Sequence, residues 1–350
     1  MFDDMSRGRF YVRLESREWP LIEGLGSSAP FDAAVISDRY LAPYPSDDPN
    51  SQELPDRLAR AVLGVGRTFS VDPDTARLEH PSAGGRQSAR SALRPVAGVL
   101  PLPLTAEALQ SPAAVRAFVG ASQIQQLMAG AFSAPYLEVR GPDDPRLRVN
   151  IELLKASREV AGGKQLIAYL QFLPSTLASG DALRAGLLLV PHANVVVVRA
   201  RRLEPSMVRQ PHVGAWVDLV ARLTRAGARV VVDCAGVAGP PLVAAGADAF
   251  SAGTRFFRNV AADLHPTSGG GGGEPLRADA SLTSLRDASA EALVPADNSA
   301  IRVSNLRVMR DDARLAARLG TGYGDLLRRA GSAQGQVWAT ELQRLRAEAA

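Results

Sequence analysis

Short β-branched or aromatic runs alternate with amphipathic stretches from residue 9 to about residue 260, the pattern of parallel βα units. The strand candidates are Phe10 to Leu14, Ala33 to Ser37, Thr68 to Val71, Tyr136 to Val139, Leu166 to Leu170, Val195 to Val198, Val230 to Val232 and Ala249 to Ser251. Helices are expected over Leu54 to Leu63, Pro112 to Gly130, Arg148 to Val160, Val213 to Ala226 and Pro240 to Ala245. In the fourth of these, Val217, Val220, Ala221 and Leu223 follow the spacing that packs a helix on a sheet, and Gly227 is placed to end it in the left-handed conformation. Eight strands over this length predict a closed (β/α)8 TIM-like barrel with a C-terminal helical extension. Periodicity does not show closure, so an open doubly wound sheet is the alternative. A further strand-like piece, Val96 to Leu100, has no slot in an eight-strand count.

The pattern changes beyond residue 265. Pro266 and the glycine tract around Ser268 to Gly273 divide the chain into a barrel over 1–265, a Gly-rich loop over 266–275 and an extension over 276–350. The extension holds one strand candidate, Ala300 to Val303, and helices over Asp311 to Leu319 and Gln334 to Ala349. Val337, Trp338, Leu342 and Leu345 form an apolar face on the last helix, which docks onto its own domain or serves a protein partner.

Composition narrows the class. The chain has 350 residues, 46% apolar and 22% charged, enough to bury a full core. No apolar run reaches the roughly 18 residues of a membrane helix, and the first residues lack the apolar stretch of a signal peptide, so a cytoplasmic location and no membrane partner are expected. The formal charge is +4, but all the basic residues except Lys155 and Lys164 are arginines, which reads as a coding bias. With 5% aromatic residues there are few stacking platforms for single strands, so a nucleic-acid partner is not indicated. The single cysteine, Cys234, excludes an intramolecular disulfide and a cysteine zinc cluster. His80, His192, His212 and His265 show no metal-binding spacing.

In a parallel barrel the chemistry sits at the C-terminal ends of the strands. Arg13, Asp38, Asp72, Asp74, Arg140, Gln171, Arg199, Arg201 and Asp233 fall there. Asp233 is the first choice for a general base and Asp38 the second, with Arg199 and Arg201 sharing a face as electrostatic stabilisers. The competing reading is that these charges pair to close the mouth. Asp72-Pro73-Asp74-Thr75 reads as an Asx turn. Gly236 lies after one late strand and Gly253, Thr254 and Arg255 after the next, where barrels hold phosphate on free amides. The expected ligand is a phosphorylated or otherwise anionic small molecule, and enzyme activity is the leading expectation, its reaction class undetermined. The alternatives are a non-catalytic binding or assembly barrel and a nucleic-acid-modifying barrel.

The run Gly246-Ala247-Asp248-Ala249-Phe250-Ser251-Ala252-Gly253-Thr254-Arg255-Phe256, preceded by Ala235-Gly236-Val237, resembles the closing motif of flavin- and phosphate-binding barrels, most closely the nitronate monooxygenase type. The resemblance covers some 30 residues, and implies FMN as cofactor with Gly236, Gly253 and Thr254 at its phosphate. The family's opening proline, methionine and glycine pattern is not found here. A second similarity, to tRNA- and DNA-guanine transglycosylases, places Ser251 near that family's nucleophilic aspartate, without the zinc-binding cysteines.

Overall fold

The computed structural model describes residues 7–14, 18–37, 54–79, 100, 102–124, 126–200, 210–253, 298–331 and 333–350. Eight parallel strands form one sheet: β1 (Arg9–Leu14), β2 (Ala33–Ser37), β3 (Thr68–Asp72), β4 (Phe132–Ser133), β5 (Leu166–Phe172), β6 (Val195–Ala200), β7 (Arg229–Val232) and β8 (Ala249–Gly253). Their order is β3-β2-β1-β8-β7-β6-β5-β4, so the first strand pairs with the last and the sheet curls into a nearly closed barrel. At the seam, the Gly130 N–H donates to the Phe69 carbonyl at 2.9 Å.

Period-two alternation sorts the strand residues between two cores. Tyr11, Val35, Tyr169, Val197 and Val231 fill the barrel interior. Phe10, Val12, Ile36, Leu170, Val198 and Phe250 face outward into the larger core beneath the helices. Those helices are α1 (Trp19–Leu25), α2 (Leu54–Gly64), α3 (Pro112–Ile124), α4 (Pro145–Val160), α5 (Pro174–Ala178), α6 (Asp181–Leu189), α7 (Gln210–Arg225) and α8 (Gly239–Ala244). The expected stripe of α7 is buried throughout, and Gly227 follows it with φ 89°. Asp144 caps α4 by accepting from the Arg146 N–H, with Pro145 in the first turn. Gly239 lets α8 lie against β8, since a Cβ there would meet the Phe250 ring at 2.1 Å.

Three helices end the described chain: α9 (Asn298–Leu319), α10 (Tyr323–Ala330) and α11 (Ala333–Ala349). α9 packs on α8 and β1, and α11 on α7 and α10, so the apolar face with Trp338, Leu342 and Leu345 is turned onto the protein itself. Ala300–Val303 is not a strand but part of α9. A four-residue apolar run does not distinguish the two, and Leu306, Met309, Ala313 and Ala316, buried at helical spacing, decide for helix. The limits set at 265 and 275 lie outside the described residues, as does most of Val96 to Leu100.

Two other expectations are corrected. The helix expected to reach Gly130 stops at Ile124, and Gln126 then clamps the turn, its amide donating to Ser122 Oγ and the Ser133 carbonyl while accepting from the Ser133 N–H. Tyr136 to Val139 is not the fourth strand. That strand is Phe132–Ser133, and only Val139 bridges onward to Phe172. Pro135 has no N–H for a ladder. Side chains replace the missing strand partner: Thr75 Oγ1 accepts from the Tyr136 N–H, Asn150 Oδ1 from Leu137 and Glu79 Oε2 from Glu138, at 2.7–2.8 Å.

Candidate functional site

Inward-facing positions at the C-terminal ends of the strands carry charge where deeper layers carry valine and tyrosine. Arg13 of β1, Asp72 of β3, Arg199 of β6 and Asp233, just past β7, meet in one cluster. Arg199 Nη1 donates to Asp72 Oδ2 at 2.6 Å and to Asp233 Oδ2 at 3.0 Å, and Arg13 reaches the same two oxygens at 2.5 and 2.8 Å. The Arg199, Asp72 and Asp233 side chains are at most 1% exposed, whereas that of Arg13 is 16% exposed. Two cations and two anions make the quartet neutral.

Its remaining hydrogen-bonding capacity is largely taken up by neighbours. Arg199 also donates to Gln171 Oε1, at 3.0 and 2.8 Å, and to the Tyr136 hydroxyl. That hydroxyl donates in turn to Asp72 Oδ1 at 3.1 Å. The second oxygen of Asp233 accepts from Ser251 Oγ. Beneath lies an aromatic floor: Tyr136 and Tyr169 stack at 4.9 Å, and the Arg199 guanidinium is 5.7 and 5.5 Å from their centroids.

This low-dielectric setting determines the charge states. Burial by itself favours the protonated form of Asp72, but the Arg199 and Arg13 guanidiniums outweigh it and hold the carboxyl well below the usual range. Burial opposes the charge on both arginines, yet the paired carboxylates raise them above the ordinary arginine value. Burial pushes the Cys234 thiol up to about 12 and raises the Tyr136 and Tyr169 hydroxyls. The thiol is therefore protonated at neutral pH and a poor nucleophile. Both oxygens of the Asp233 carboxylate accept from donors of the protein itself.

Arg199 and Asp233, both picked out by position in the sequence, are thus brought together. Asp38, Arg201, Thr254 and Arg255 lie outside the described residues. Gly253 ends β8 in register with Arg13, at the edge of the cluster. Gly236 is buried at φ 52° and opens a turn. The amide cradle expected around it is largely closed, because the N–H groups of Asp233, Cys234, Ala235, Ala238 and Gly239 all donate within the protein. Ser251 joins two of these links, accepting from Cys234 while donating to Asp233. Asp248 sits at the opposite end of β8, where its carboxylate accepts from the Val230 N–H.

Asp72 and Asp74 do form the expected Asx turn, the Asp74 N–H donating to Asp72 Oδ1 at 2.9 Å. The same carboxylate is a centre of the ion cluster, a second role that the local motif concealed. Tyr136, Glu138 and Ser37 were not picked out as site residues. Tyr136 and Glu138 fell inside a presumed strand, and Ser37 carries no charge to draw attention. Glu138 is buried and accepts from Gln171 Nε2 at 3.3 Å, extending the polar layer.

A cleft of about 660 Å³ lies outside the barrel wall, lined in part by Leu177, Leu183, Asp218, Arg222, Glu341 and Arg344. Arg344 is paired there with Asp218 and Glu341. Among the described residues, no group of three or more His, Cys, Asp or Glu side chains is placed to hold a metal ion, and no helix is long and apolar enough to cross a membrane.

No family model and no curated protein matches the chain. Solved structures similar to it include a GH5 protein from Streptomyces cattleya in complex with GlcNAc, 13% identical over 94% of this chain and 92% of that one, with a TM-score of 0.45. A tryptophan synthase alpha-subunit from Pyrococcus furiosus is 14% identical over 71% and 88%, with a TM-score of 0.35. A GH18 chitinase from Pseudoalteromonas aurantia is 12% identical over 64% and 79%, with a TM-score of 0.37. At such identities and scores, these likenesses transfer neither substrate nor reaction to this chain.

Proposed function

We propose that the C-terminal mouth of this barrel binds a small anionic ligand, with Arg13 as its charged contact. The observation that carries this reading is the asymmetry of the quartet: the one member reaching solvent is a cation, and its neighbour in register, Gly253, has no side chain to cover it. A guanidinium offers five N–H donors, and the two carboxylate bonds leave others for an oxyanion. Asp72, Asp233 and Arg199 then act as a pre-organised base that fixes Arg13, rather than as proton-transfer groups. The anion site expected after the last two strands accordingly centres on β8 and β1. The resemblance of residues 246–256 to flavin-binding barrels makes FMN one ligand to try.

The test is thermal denaturation and calorimetry with inorganic phosphate, succinate, sugar phosphates, nucleotides and FMN. Wild-type protein is expected to gain Tm with at least one of them, and Arg13→Met to lose that response in titrations run below its own Tm. Gly253→Asp, which sets a carboxylate beside Arg13, should abolish binding as well. The internal pairing of Asp72, Asp233 and Arg199 favours a second reading, a non-catalytic barrel closed by an ion-pair plug. A flat response to every ligand selects it.

A further inference from the structure

The geometry points to Ser37 as the second ligand contact, a neutral hydroxyl that accompanies Arg13 in holding a phosphate or carboxylate group. This inference rests on the anion-binding reading above and adds a contact from β2 to the site centred on Arg13 of β1. Along β2, Ala33 and Val35 face the barrel interior while Ala34 and Ile36 face the helices. Period two therefore turns Ser37 inward. Val35 lies in register with Arg13, and Ser37, one inward position closer to the mouth, lies in register with Asp72. The hydroxyl thus borders the charged cluster without belonging to it.

Ser37 is 2% exposed and its Oγ has no hydrogen-bond partner among the described residues. A buried hydroxyl left unpaired is destabilising, so it calls for a specific explanation. Alanine would fill the same space without that penalty. The neighbouring Asp72 carboxylate is already engaged, accepting from both arginines, Tyr136 and the Asp74 N–H. A hydroxyl held ready in such surroundings suits an oxyanion that accepts from Ser37 and from the unused N–H groups of Arg13.

Ser37→Ala separates this from packing. Without ligand its Tm should equal or exceed that of the wild type, because an unsatisfied polar atom is removed. Its Kd should rise roughly tenfold or more for inorganic phosphate or for succinate, whichever the wild type binds, as expected for a lost hydrogen bond to a charged group. The two probes also separate a phosphate head group from a carboxylate one. An unchanged Kd in Ser37→Ala overturns the role of Ser37 while leaving the Arg13 reading intact. A Tm several degrees below wild type would make Ser37 a packing residue and also overturn it. If wild-type protein binds neither probe nor any other anion tested, the underlying reading fails and this inference with it.

Discussion

Replacing Arg199 by methionine tests the ion cluster most directly. The side chain is 1% exposed and donates to Asp72, Asp233, Gln171 and Tyr136. Methionine retains much of the apolar stem, so what is removed is chiefly the charge and the fork of donors. Asp72 and Asp233 are then left sharing Arg13, one negative charge in excess within a low-dielectric layer. Deleting one partner of a buried ion pair costs about 3–5 kcal/mol, a large part of a total stability of about 5–15 kcal/mol. Urea denaturation at pH 7 should show a loss of that size. The pH dependence supplies the signature. With two carboxylates competing for one cation, one of them should titrate above the ordinary value of about 4. A folded-state pKa raised above the unfolded value gives stability that is full below the unfolded value and lost as pH rises through the folded one. The deficit of Arg199→Met should therefore shrink as the pH is lowered from 7 towards about 5. A loss under about 1 kcal/mol that does not change with pH would refute the reasoning, because it would mean that water already screens the cluster.

Wild-type protein should lose stability below about pH 4, since the depressed Asp72 carboxyl contributes stability above its unfolded value that disappears as pH falls through the folded one; Asp72→Asn should flatten that acid limb in a pH series of melting curves. Gly239→Ala should destabilise by about 1–3 kcal/mol in urea, because its methyl group would press into the Phe250 ring, and a neutral outcome would show a looser contact of α8 with β8. Asp144→Ala should cost about 1 kcal/mol by removing the α4 cap, and retention of full stability would mean that the Arg146 N–H finds another acceptor.

Much of the architecture was legible because it rests on local periodicity. Period two marked seven strands close to where they lie, and the spacing of Val217, Val220, Ala221 and Leu223 marked the buried side of α7. Arg199 and Asp233 were legible as site candidates because they end strands that begin with consecutive valines, and a charge at such a position must face the mouth. The fourth strand was not legible. Backbone groups at Tyr136 to Glu138 are satisfied by Thr75, Asn150 and Glu79, residues distant in sequence whose local patterns give no hint of that role. The glycine-bearing loop after β7 was less legible for a related reason: glycines show that a tight turn can form, while the direction of its N–H groups depends on what lies opposite. Here Val198 and Ser251 accept from Asp233, Cys234 and Ala235, while carbonyls of the turn itself accept from Ala238 and Gly239.

The sequence alone determined that charged side chains would line the C-terminal end of a parallel βα sheet, since alternation along each strand assigns every residue a side. Only the tertiary structure decided that Arg13 would join Asp72 and Asp233, 59 and 220 positions away, and that Ser37 would stand in register with Asp72 with no hydrogen-bond partner among the described residues. Pairing among buried charges depends on separations of a few ångströms, and those are set by sheet closure and register, which act between strands and leave no mark within any one of them.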